Sequence, residues 1–105
     1  MAVKNHVFNE KVSYGYGKCS TETDLTQRIE ELYDRMIIPG IENGVCGSIY
    51  TQLSDIEDEI NGLYTYDREV CKVDKEKMKA LSKRLYSAIY TREEMICKET
   101  RQITR

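Results

Sequence analysis

Apolar positions along the chain fall into three runs with helical spacing. In the first, Leu25, Ile29, Leu32, Tyr33 and Met36 recur at i, i+4, i+7, i+8 and i+11, which places them on one face of a helix. Asp24 stands just before the run as a candidate N-cap, and Gln27 three residues on completes a capping box. The only proline, Pro39, disfavours α geometry in Ile38, so the pattern predicts a first helix over 24–38. In the second run Val45, Ile49, Leu53, Ile56, Ile60 and Leu63 lie within about 80° at ~100° per residue. That stripe predicts a helix over 44–63, with Gly47 and Gly62 weakening its ends.

The third run is the longest. Met78, Leu81, Leu85, Ala88, Ile89, Ile96 and Ile103 share a face, and Asp74 before them is a ready N-cap. Val73 can staple to Met78 across that cap, while Lys98 and Arg101 suit the negative end of the helix dipole. A third helix is therefore expected over 74–102. Residues 1–22 lack this period and hold β-leaning pieces, His6-Val7-Phe8, Val12 and Tyr14-Gly15-Tyr16, broken by glycine. They read as an arm, either a short strand, a segment docked on a partner, or a disordered tail. The expected architecture is all-α: an antiparallel three-helix bundle over 23–105 with an irregular N-terminal arm over 1–22.

Composition changes the picture only through its distribution. With 40% apolar and 32% charged residues the chain has the balance of a globular domain. A net charge of −2 supplies no general attraction to nucleic acid or anionic membrane. Residues 36–67, however, carry six acids and no Lys or Arg, whereas 68–105 carry eleven basic and six acidic side chains. An acidic second helix beside a basic third would be complementary, either within one molecule or between subunits. No apolar run opens the chain and none reaches the ~20 residues that span a bilayer, so no membrane partner and a cytoplasmic location are expected. The four cysteines, Cys19, Cys46, Cys71 and Cys97, include no C-x-x-C pair and are expected to be reduced.

Candidate chemistry begins with Asp55-Ile-Glu-Asp-Glu59. On the expected helix Asp55, Glu57, Asp58 and Glu59 spread over about 200° and converge nowhere, which reads as a solvated face. Glu30-Glu31-x-x-Asp34 with Asp55-x-x-Asp58 resembles the paired acidic motifs with which all-α nucleotide pyrophosphohydrolases hold magnesium. Each motif departs from that pattern at one residue, and Glu30, Glu31 and Asp34 lie opposite the apolar face of Leu25. The resemblance implies a magnesium-dependent nucleotide hydrolase as the alternative function. "YGYGK" lacks the spacing of a phosphate-binding loop, and the one histidine, His6, leaves no ready nucleophile pair or zinc set. No catalytic residue, cofactor or metal is expected.

The third helix carries a second cluster about 100° from Met78: Lys79, Lys83, Tyr86, Tyr90 and Cys97. Arg92 interrupts the main stripe, so the last turns are expected to leave the molecule's own core. The expected function is a small non-catalytic interaction module, an adaptor, accessory subunit or inhibitor, whose partner is another protein or a second copy in a homodimer. Its contact residues would be Tyr14 and Tyr16 of the arm with Lys79, Lys83, Tyr86, Tyr90 and Arg92. A nucleic-acid-binding protein using the basic third helix is the remaining alternative.

Overall fold

A computed structural model of the chain describes residues 1–7 and 19–103, with the side chains of 101–103 excepted. Tyr14 and Tyr16 lie outside the described residues. Two helical segments carry the architecture. The first runs from α1 (Glu22–Leu32) through a π-helical turn (Tyr33–Ile37) and the short α2 (Ile38–Gly40) into a 3-10 turn (Ile41–Asn43). The second is α3 (Lys75–Ile103), 29 residues long. Residues 44–74 form no helix and, among the described residues, there is no extended strand.

The N-cap of the first segment lies three residues earlier than the sequence pattern suggests. Thr21, in extended conformation, accepts the Asp24 N–H on Oγ1 at 3.0 Å, so threonine and not Asp24 is the N-cap. Pro39 does not stop it: Ile38 before it keeps αR geometry, and the chain passes from the π turn through α2 without a break. The stop is Gly44, at φ +101°, whose N–H reaches the Ile41 carbonyl at 3.1 Å. The π turn inserts an extra residue per turn and rotates the buried face. Ile29 and Ile41 are buried and Tyr33, Ile37 and Ile38 half-buried, whereas Leu32 and Met36, expected in the core, are exposed.

α3 lies where its pattern placed it. Asp74 Oδ1 accepts the N–H groups of Glu76 at 3.0 Å and Lys77 at 3.2 Å, while its own N–H is donated to Thr26 Oγ1 at 2.9 Å. That last bond docks the start of α3 on α1. The core between them is small: Ile29, Val73 and Leu81, surrounded by Leu25, Tyr33, Ile38, Leu63, Cys71 and Met78.

The three-helix bundle is corrected by the segment between. The stripe from Val45 to Leu63 has helical spacing, but its residues do not favour a helix. Val45, Ile49, Tyr50, Thr51, Ile56, Ile60 and Tyr64 are β-branched or aromatic, and Gly47, Ser48, Ser54, Asn61 and Gly62 interrupt them. The segment folds instead by isolated bridges, Ser54 to Tyr64, Ile56 to Glu59 and Tyr64 to Cys71. Ile56 and Glu59 exchange both backbone hydrogen bonds around Glu57-Asp58, with Glu57 at φ +51°. Asp55 N–H reaches Tyr64 O at 3.0 Å, and Lys72 N–H reaches Leu63 O at 2.7 Å.

Electrostatics then pins this segment. Lys72 Nζ, fully buried, donates to Asp55 Oδ1 at 2.5 Å and to Ile60 O at 3.0 Å. Asp55 Oδ1 also accepts the Gly62 N–H at 2.9 Å. The close approach explains Gly62: an added Cβ would lie 2.4 Å from the backbone of Ser54 and Asp55. Asp55 is thus not part of a solvated face but the anion at the centre of the connecting lobe.

Candidate functional site

α3 divides into a packed half and a bare half. Up to Arg92 one side lies on the first helical segment, with Leu81 buried and Met78, Leu85, Ala88, Ile89 and Arg92 half-buried. From Glu93 to Thr100 every side chain is exposed, including Met95 and Ile96. The apolar stripe therefore outruns the surface it packs on, as the interruption at Arg92 suggests. Arg92 lines a groove of about 340 Å³ with Ile38, Pro39, Glu42 and Ala88.

On the outer side of α3 stand four of the residues singled out from sequence. Tyr86 and Tyr90 are 58% and 62% exposed and one turn apart, and among the described residues no hydrogen bond or ring contact engages either. Lys79 reaches only Glu76 of its own helix, at 3.5 Å, and Lys83 makes no ion pair. The aromatic rings present apolar area with a polar tip at low entropic cost, which is what makes tyrosine common at interfaces. Lys79 and Lys83 share that face with them, Lys79 beside Glu76, and the exposed Glu93 and Glu94 follow within a turn of Tyr90.

The carboxylates of the hydrolase resemblance are engaged elsewhere. Asp34 and Glu30 both face Arg84, at 3.3 and 4.0 Å, and Asp55 is closed in against Lys72. Among the described residues, one group of three metal-capable side chains has its ligand atoms within 4.8 Å of one another: His6, Asp67 and Glu69. Sequence reasoning missed this group, since nothing local ties residue 6 to residue 67. It could offer one imidazole and two carboxylates to a divalent ion. As it stands, His6 Nδ1 and Asp67 Oδ2 are 2.6 Å apart, whereas two ligands of one tetrahedral zinc sit about 3.3 Å apart. The geometry is that of a hydrogen bond between ring and carboxylate, with Glu69 Oε2 at 3.8 Å from His6 Nδ1.

Asp67 is well prepared for that role. Thr65 Oγ1 donates to its Oδ1 at 2.5 Å and the Glu69 N–H at 3.1 Å; with His6 on the other oxygen, these hold its carboxyl down at about 2. The cysteines stand unpaired. Burial, followed by the charge of Asp24, pushes the Cys19 thiol above its ordinary value and keeps it neutral, the opposite of an activated nucleophile. No helix among the described residues is long and apolar enough to cross a membrane. No protein-family model and no curated protein matches the chain.

Proposed function

We propose that the protein is a binding module for another protein chain, and that the outer face of α3 is its contact surface. The observation that carries this is the pair Tyr86 and Tyr90, more than half exposed on one helical face beside Lys79 and Lys83. Two rings of that size left in water are an unusual use of aromatic surface, and burying them against a partner supplies affinity through apolar area. A helix laid against a partner surface would engage them at i and i+4, with the bare turns from Glu93 onward extending the contact. Adaptor, accessory subunit and inhibitor are all forms of this one activity.

The test is Tyr86→Ala with Tyr90→Ala. Both side chains lie away from the core, so circular dichroism and the melting temperature should stay near wild type. Affinity capture from the native host's extract, or self-association, should weaken about tenfold or more, as truncation of paired aromatic anchors does. Unchanged binding, or loss of helical signal, would overturn the assignment.

A further inference from the structure

We infer that the partner of the α3 face is a second copy of this chain, which offers the acidic, apolar lobe of residues 49–59. The inference rests on α3 being a contact surface, and it names what sits there.

Charge is the first observation. In a three-helix bundle the acids of 36–67 would neutralise the basic third helix from alongside. The actual fold withholds that pairing. Asp55 is paired with Lys72, and Asp67 is hydrogen-bonded to His6. Glu57 and Glu59 remain exposed, and among the described residues neither meets a cation; the Glu59 side chain accepts from Gln52 Nε2 at 3.5 Å. Among the described residues Lys79 meets only Glu76 of its own helix and Lys83 meets no acid. The carboxylates of the lobe and the lysines of α3 therefore do not neutralise one another within a single molecule.

Apolar surface is the second. Ile49 is 95% exposed, Leu53 70% and Ile56 56%, in the same lobe as Glu57 and Glu59. Facing chemistry exists on α3, where Tyr86 and Tyr90 accompany the lysines. Each patch joins apolar area to charge, and Lys79 and Lys83 oppose Glu57 and Glu59 in sign, which gives attraction and register at an interface.

Since every copy bears both patches, a two-fold axis makes the lobe-to-helix contact twice and closes the assembly as a dimer.

The experiment is a charge swap read by analytical ultracentrifugation in reducing buffer. One variant carries Lys79→Glu and Lys83→Glu; the other carries Glu57→Lys and Glu59→Lys. Wild type should be dimeric. Each variant alone opposes like charges at both contacts, so its dissociation constant should rise at least about tenfold. Mixed together, the two variants restore opposite charges at both contacts and should form a heterodimer. A wild-type monomer at all concentrations, or a mass climbing past the dimer, would overturn the inference. So would a dimer indifferent to Glu57→Lys/Glu59→Lys. If such a dimer still fails with Tyr86→Ala/Tyr90→Ala, the α3 face stands and only the lobe assignment falls. If neither set of changes affects association or capture, the α3 reading falls with it.

Discussion

At the scale of single residues, the fold of the connecting segment turns on Asp55 and Lys72. Taking both charges out of water is expensive; their short bond, with the Ile60 carbonyl and Gly62 N–H filling further positions, offsets part of that cost, while Asp55 Oδ2 is buried with no partner among the described residues. Burial pulls the Lys72 ammonium below its ordinary value, while the hydrogen bond to Asp55 and its charge oppose the shift. Removing one partner is therefore worse than removing both. Asp55→Asn should destabilise by about 3–5 kcal/mol in denaturant titration, because Lys72 stays buried without its anion. Asp55→Leu combined with Lys72→Met should recover much of that loss. A single variant as stable as wild type would mean the pair is solvated. None of this was legible in the sequence. Asp55 has three acidic neighbours within four positions and looks like any solvated carboxylate, and its partner lies 17 residues away.

At the scale of elements, local signals succeeded where a cap and a long apolar stripe agreed. Asp74 and the run from Met78 onward placed α3 within a residue. The same logic failed over 44–63, where a helical period was carried by residues that prefer extended backbone. Spacing alone does not separate a helix stripe from apolar residues scattered along a folded loop. It also misread the face of the first segment, because a π turn cannot be seen in hydrophobic spacing. The shifted register is testable. Met36→Gln should change stability by no more than about 0.5 kcal/mol, since Met36 is 65% exposed. Ile41→Ala should cost about 2–5 kcal/mol, since Ile41 is buried past the expected end of the helix. The opposite ranking in thermal melts would restore the unshifted stripe.

For the whole molecule, elongation and a thin core go together. Its extents are 65 × 23 × 20 Å and its radius of gyration is 17.8 Å, against about 13 Å for a compact chain of this length. Long-range ties therefore matter, and the pair of His6 with Asp67 links the chain's start to the lobe across 61 positions. Asp67 makes one part of stability depend on acid. Its folded pKa of about 2 lies below the ordinary 3.8, so the fold favours the ionised form. That contribution is complete above pH ~4 and is lost as pH falls towards 2. Melting temperatures of Asp67→Asn should consequently fall less steeply than those of wild type between pH 4 and 2; parallel curves would show that Asp67 is not held. Of the candidate contact residues, Lys79, Lys83, Tyr86 and Tyr90 are exposed along one side of α3, a placement readable in sequence because a long regular helix makes angular position readable. It could not mark the lobe of Ile49, Leu53 and Ile56 as surface, since those residues were assigned to the core of a helix that does not form.

The most direct test of the central claim, that α3 presents its tyrosine face to a second copy, is solution mass by light scattering over a range of protein concentrations in reducing buffer. Wild type should give the mass of a dimer and Tyr86→Ala/Tyr90→Ala that of a 12.3 kDa monomer, with equal helical content. Equal masses for the two proteins, whether monomer or dimer, would contradict it.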